Sequence, residues 1–224
     1  MAIEAVADRG RFSVALSGGS TPQALFTLLA SAPYISQLPW REMHFFWGDE
    51  RLVPPGDAGS NYFQAAQLLL EQIELPAENI HRVRGELPPE AAVADYTAQL
   101  RSFAAGQTGW PRFDLVLLGL GSDGHTASLF PGSAVKDEPG IAVKAVTAFY
   151  EDRPAQRLTL TPAVFNDSRQ ALFLVTGANK AEAVASVLEG ESEPEQWPAQ
   201  RIQLSNGTVT WLIDQEAAAE LSSK

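Results

Sequence analysis

One local pattern recurs along the chain: a short apolar run, a turn rich in glycine, then a segment whose apolar residues return at helical spacing. Arg11–Leu16 (RFSVAL) is the first such run and predicts a strand; SGGSTP follows it, and a helix is expected over Gln23–Ala30. Met43–Trp47 (MHFFW) predicts a second strand, and beyond a loop rich in Pro and Gly a helix is expected to begin near Asn61. Phe113–Leu118 (FDLVLL) predicts a strand buried on both faces, followed by GLGSDGH, and Ile141–Val146 is a further strand-like run. Ala171–Thr176 (ALFLVT) leads into GANK and a helix over Ala181–Leu188. Val209–Ile213 (VTWLI) predicts the last strand, with Asp214 capping a terminal helix. The stretch from Glu71 to Gly109, richer in alanine and polar residues, is expected to form a helical excursion.

Continuous apolar strands separated by helices imply an α/β fold of Rossmann-like type, a mostly parallel sheet with helices on both faces. The 224 residues contain no clear linker and are read as a single domain, 1–224. Open parallel sheets bind ligands beyond the carboxyl ends of their strands. Here those ends carry SGGST, GDER, GLGSDGH and TGANK, the small, polar and charged parts of the chain.

Composition narrows the function classes. With 45% apolar and 19% charged residues the chain is able to bury a sizeable core. No apolar run approaches the roughly 20 residues of a membrane span, and the N-terminus lacks the basic-then-apolar pattern of a secretory signal, so a cytoplasmic protein is expected. The absence of cysteine excludes disulfides, thiolate metal sites and cysteine nucleophiles together. A net charge of −11 argues against nucleic acid or an anionic membrane as partner. An acidic protein that binds an anionic metabolite must instead gather its few basic residues at one place.

The strand-end motifs supply the candidates. Ser17–Pro22 (SGGSTP) joins a strand to a helix through glycines that let backbone N–H groups approach a ligand, at a helix N-terminus that favours anions. The plainer reading is a tight turn with a Ser or Thr N-cap. Gly177–Lys180 (GANK) repeats the device with a lysine able to reach a phosphate, although the Gly-Lys-Ser/Thr run of a P-loop is missing. Gly119–Gly124 (GLGSDG) matches G-x-G-x-x-G, but the next strand-like run ends in Thr147 and Ala148 rather than in an acidic residue, which rejects a dinucleotide cofactor. Asp123-Gly-His125 places an imidazole beyond a buried strand with a carboxylate beside it, a pattern suited to general-base work. His44 and His81 are read as structural, no metal is expected from only three histidines without an HExxH spacing, and GxSxG is absent. In Asp49-Glu50-Arg51, Arg51 is a candidate for an anion and Asp49 for sugar hydroxyls, against the plainer reading of an exposed turn with an internal ion pair.

Taken together, SGGSTP, WGDERLVPPGDAGSN, LLGLGSDGHTASLFPGS, RLTLTPAVFNDSR and VTGANKAEA resemble the 6-phosphogluconolactonase family, in the superfamily that also holds glucosamine-6-phosphate deaminase. The resemblance runs from about Phe12 to the terminal WLIDQEAA, and GSDGHTASLFP is its most specific piece. It implies a fold without nucleotide, no cofactor, no metal requirement, and hydrolysis of a sugar-phosphate lactone in the oxidative pentose phosphate pathway. It also implies His125 as general base with Asp123 beside it, and Gly18, Gly19, Ser20, Thr21, Asp49, Arg51, Arg157 and Lys180 as binders of phosphate and sugar. A monomer is expected. The deaminase pattern continues from its histidine as I-A-F-N-E-P, whereas this chain reads Thr126 to Pro131 and has Phe130 in place of the glutamate. A non-catalytic sugar-phosphate sensor would carry a DNA-binding helix-turn-helix, whereas this chain opens almost directly on its first strand. Family members usually have a further strand and a longer helix before the first Gly-rich loop; sixteen residues precede Ser17 here, so a shortened N-terminal edge is expected.

Overall fold

The computed structural model describes residues 1–104, 109–133, 135, 138, 140–149 and 154–222. In chain order these form helices α1 (Ala2–Arg9), α2 (Ser20–Leu29), α3 (Tyr34–Gln37), α4 (Asn61–Leu68), α5 (Pro89–Ala104), α6 (Pro162–Asn166) and α7 (Ala181–Leu188). The strands are β1 (Phe12–Leu16), β2 (Met43–Trp47), β3 (Asp49–Arg51), β4 (Leu115–Leu118), β5 (Val143–Thr147), β6 (Gln156–Leu160), β7 (Gln170–Val175) and β8 (Thr208–Ile213).

Five of these strands build an all-parallel sheet in the order β2-β1-β4-β7-β8. All five residues of β1 are buried, so both faces of the strand are covered, as its continuous apolar run requires. At the edge, β8 alternates exposed and half-buried residues, and its Trp211 stacks on Phe173 of β7 with ring centroids 3.8 Å apart. Counted among themselves the parallel strands follow the order 2-1-3-4-5, so the succession reverses between β1 and β4. A crevice opens at the carboxyl ends where the order reverses. The SGGST and GLGSDGH loops leave the sheet at that point.

The α/β reading and the Rossmann-like parallel sheet are borne out, and three features depart from expectation. Residues ahead of β1 form α1, closed by Gly10 in a left-handed conformation with its N–H on Val6 O. A second, antiparallel sheet, β3-β6-β5, adds to the parallel one, so Asp49-Glu50-Arg51 is a short buried strand and not an exposed turn. Asp214 does accept from Ala217 N at 2.8 Å, but the residues after it form only turns; its carboxylate is shared with Gly177 N at 3.0 Å, and among 215–222 only Ala217 is buried. So short a segment lacks the apolar face that would repay helix nucleation.

The helical excursion is present as α5, which buries Ala92, Tyr96, Leu100 and Ala104 at i, i+4 spacing. The Tyr96 hydroxyl accepts from Trp47 N at 2.9 Å and donates to Trp47 O at 2.8 Å, fixing the chain where β2 ends and β3 begins. His44 and His81 are structural as expected. Their rings share a hydrogen bond of 3.2 Å, and burial lowers both, His81 to about 4, so neither carries charge near neutrality. Among the described residues no helix is long and apolar enough to cross a membrane.

Candidate active site

The first wall of the crevice comes from β1. Its chain end passes through Gly18, where any Cβ would overlap the carboxamide of Asn61, so only glycine permits the two segments to meet. Helix α2 then starts from Gly19 with no side-chain cap, which corrects the reading of a Ser or Thr N-cap. The N–H groups of its first turn therefore lack partners inside the helix. Thr21 Oγ1 meets Thr176 Oγ1 at 3.0 Å, tying the SGGST loop to TGANK across the sheet.

A second wall is the small antiparallel sheet. Residues i and i+2 of a strand share a face, so Asp49 and Arg51 look into the crevice while Glu50 points away. Glu50 is buried, accepting from the N–H groups of Arg51, Asn61 and Tyr62 at 2.7 Å each and from Ser60 Oγ at 3.1 Å. Burial pushes its carboxyl up to about 7, against the pull of those N–H groups. Asp49 accepts from Ser128 Oγ at 2.7 Å and from Asn61 Nδ2 at 3.3 Å. Arg51 lies directly across from Arg157 in the β3–β6 register, and the two are only 7% and 3% exposed. Like charges facing each other in a sheet are destabilising. Arg51 Nη1 donates to Gly59 O at 2.6 Å, while its buried Nε has no hydrogen-bond partner among the described residues.

The third wall is the loop after β4. His125 Nδ1 lies 2.5 Å from Asp123 Oδ1, which also accepts from His125 N at 3.2 Å. Partial burial works to raise the Asp123 carboxyl, but the hydrogen bonds and charge of His125 outweigh it and hold it below its ordinary range. An ionised carboxylate only accepts, so Nδ1 carries a proton, and in the neutral imidazole the lone pair is on Nε2. Gly121 is required here as well, since a Cβ would run into the His125 ring and Asp123 Oδ1. The loop is closed by Gly121 N on His125 O at 2.7 Å and Gly124 N on Gly121 O at 3.0 Å. Those two N–H groups are thus unavailable as oxyanion donors; the N–H of Ser122 takes part in neither bond, and Ser122 lines the crevice.

The walls enclose a cleft of about 340 Å³. It brings together Gly18, Gly19, Ser20, Thr21, Asp49, Arg51, His125, Arg157 and Lys180, every candidate from the sequence except Asp123, which stands behind the imidazole. Asn61, Ser122, Thr176 and Asn179 also line it and were not singled out from the sequence. Each lies within a motif quoted from the sequence, but only the fold shows that it turns inward. Among the described residues no group of three or more His, Asp or Glu is placed to hold a metal ion.

The sequence profile of the family described as glucosamine-6-phosphate isomerases/6-phosphogluconolactonase matches residues 1–211. The chain belongs to this family. Relatives in it include the 6-phosphogluconolactonase of Aggregatibacter actinomycetemcomitans, 39% identical over 92% of this chain and 85% of the relative. That of Synechocystis sp. is 40% identical over 97% of this chain and 88% of the relative. The structure of 6-phosphogluconolactonase from Trypanosoma brucei superposes with a TM-score of 0.82 at 32% identity, covering 98% of this chain and 90% of that one.

Phe130 stands where the deaminase resemblance would place a glutamate. Its ring packs 4.7 Å from the His125 imidazole and 5.5 Å from the Arg157 guanidinium. A hydrocarbon ring at this place gives the imidazole a wall and offers no second proton acceptor.

Proposed function

We propose that the chain hydrolyses 6-phosphogluconolactone to 6-phosphogluconate, with His125 as general base. The observation that carries this reading is the pairing of two buried arginines across β3 and β6 in the same cleft as a carboxylate-held imidazole. Arg51, Arg157 and Lys180 hold the phosphate dianion through charge-assisted N–H donors. Gly18, Gly19, Ser20 and Thr21 add N–H and hydroxyl donors, and Asp49 meets sugar hydroxyls. His125 Nε2 takes a proton from water as the water oxygen bonds to C1. The C1–ring oxygen bond then breaks, and the proton passes to the departing oxygen. Holding the phosphate converts remote binding energy into orientation at C1. The names of the relatives support the substrate, and the cleft's composition supports the chemistry.

The deciding experiment is lactone hydrolysis measured above the spontaneous background for wild type and His125→Ala. A positioned base contributes roughly 10²–10⁴-fold, so kcat should fall by that factor with little change in affinity. A variant that keeps most of its activity ends the proposal for His125, and an inactive wild type ends the proposal for the substrate.

A further inference from the structure

The cleft lies at the carboxyl ends of the parallel strands, and a second polar cavity of about 460 Å³ lies at their amino ends. Arg11 immediately precedes β1, Arg112 lies just before β4, and Arg169 immediately precedes β7, so neighbouring strands each bring a guanidinium to the foot of the sheet. Arg9, from the last turn of α1, is the fourth. In a chain of net charge −11, a quarter of the sixteen Lys and Arg residues thus line one cavity.

Asp114 is the carboxylate that lines it. Only 6% exposed, Asp114 accepts from Ser13 N at 2.8 Å and Ser13 Oγ at 3.1 Å on one oxygen and from Arg9 at 2.8 Å on the other, which also lies 3.3 Å from Arg169 Nε in an ion pair without a hydrogen bond. Its charge is therefore shared between two arginines, and a serine takes its second oxygen. Exposed Asp8 approaches Arg9 at 3.9 Å. Among the described residues Arg11 and Arg112 have no carboxylate within ion-pairing distance. Arg11 reaches Phe103 O at 3.5 Å and lies 4.1 Å over the Phe103 ring, and Arg112 bonds the carbonyls of Asp167 and Asn206. Carbonyls and a ring face accept N–H groups but do not neutralise charge. Pinning the strand ends needs the Arg9–Asp114–Arg169 cluster; it does not need two further cations converging on the same space.

We propose that this foot cavity is a second anion site, one that takes a small molecule bearing two linked phosphates. Four guanidinium groups against the buried Asp114 and the exposed Asp8 leave a local positive surplus spread across three neighbouring strands, a span that two linked phosphates cover better than one. Planar forks of N–H donors suit phosphate oxygens, and the cavity falls within the roughly 300–1,000 Å³ of small-molecule sites. The assignment is independent of the chemistry at the cleft.

The test is a titration of the full chain with inorganic pyrophosphate, followed by backbone amide shifts. Shifts at Ser13, Asp114 and Arg169 report the foot, and shifts at Gly18, Gly19 and Thr21 report the cleft, so failure at one is not confused with failure at the other. Saturable shifts at the foot are expected, weakened about tenfold or more in Arg11→Ser, the usual effect of losing a charge-assisted hydrogen bond, and partly restored in Arg11→Lys. Lactone hydrolysis should be unchanged in both variants. Arg112→Ser should add to the loss; should it unfold for want of its carbonyl contacts, Arg11→Ser carries the test alone. Orthophosphate should bind more weakly than pyrophosphate. A parallel titration with ADP separates the sources: binding as tight as pyrophosphate points to a nucleotide, and no binding to free pyrophosphate. Shifts confined to the cleft, an Arg11→Ser titration identical to wild type, or equal binding of orthophosphate overturns the proposal.

Discussion

Asp123 touches none of the cleft, yet the proposed mechanism makes the rate depend on it, which gives a sharp test. In Asp123→Asn the side chain keeps its shape. The oxygen that accepts from His125 Nδ1 also accepts from His125 N, and that second donor should keep a carbonyl oxygen, not an amide NH₂, turned inward. The imidazole tautomer is then preserved and only the charge is lost. A hydrogen bond to a charged group contributes about 1.5–3 kcal/mol and a neutral one about 0.5–1.5 kcal/mol, so the imidazolium formed in the transition state loses about 1–1.5 kcal/mol. That corresponds to a fall in kcat of about 5–10-fold. Asp123→Ala removes the orientation as well, and its loss should approach, without exceeding, the roughly 10²–10⁴-fold of the base itself. KM should hardly move in either variant, because no lining group is lost. The assay follows lactone consumption at several enzyme concentrations, with the uncatalysed rate subtracted. Wild-type kcat in Asp123→Ala, or a raised KM with kcat unchanged, would falsify the positioning role. A stability effect accompanies it. Because the folded-state pKa of Asp123 is depressed, its contribution is fully present above the unfolded value near ~3.9 and disappears as pH falls through the lower folded value. Wild type and Asp123→Asn should therefore converge in stability under strongly acid conditions.

Further outcomes follow from the same geometry. Lys180→Ala should reduce kcat/KM for the phosphorylated lactone by about 10–150-fold, from the ~1.5–3 kcal/mol of a charged hydrogen bond, and leave gluconolactone without phosphate nearly unaffected; equal damage to both substrates would make the lysine structural or catalytic. Gly121→Ala drives a methyl group between His125 and Asp123, so kcat should drop by about 10²-fold or more while circular dichroism still shows a folded chain; an active variant would show that the pair is not needed. Glu50 has a raised folded pKa, so its proton favours the folded state at low pH and that contribution is lost as pH rises from about 4 to about 7. Denaturant unfolding should show wild-type stability declining by up to about 3 kcal/mol over that window relative to Glu50→Gln, which is less stable overall because its amide NH₂ faces backbone N–H groups; parallel pH profiles would contradict the shift.

The five parallel strands were legible because each is an apolar run, even β8, which is half-exposed at the sheet edge, and their observed limits differ from the expected ones by two residues at most. Of the second sheet only β5 was legible, as the strand-like run Ile141–Val146. Asp49-Glu50-Arg51 carries three charges in three residues, and β6 (QRLTL) has only Leu158 and Leu160 as apolar positions, too short a signal beside Arg157, which faces the polar cleft. What makes β3 a strand is pairing with distant β6 and the four donors gathered on Glu50, and neither is a local property. The candidate site fared better than the fold around it, since its residues sit at strand ends marked by glycine. Asn61 escaped for the opposite reason. As the first residue of α4 it looks like an ordinary helix start, and only its approach to Gly18 and Asp49 brings it into the cleft.

Asp49 explains how an acidic residue belongs in an anion site. Its carboxylate is already occupied by Ser128 and Asn61, so its charge is spread over two donors before any ligand arrives. Ser128 belongs to the same loop as His125, and Asn61 begins α4, whose N-terminus is gathered on Glu50. Asp49 is thus the joint between the strand that carries Arg51 and the loop that carries the imidazole. Net charge over the whole surface matters little at this range, because screening leaves charges beyond ~8 Å weak, whereas Arg51 and Arg157 are buried and face each other directly. On the proposed reading the dianion sits where two buried arginines are paired across a sheet, and Asp49, through Ser128, ties the strand that carries Arg51 to the loop of the proposed base.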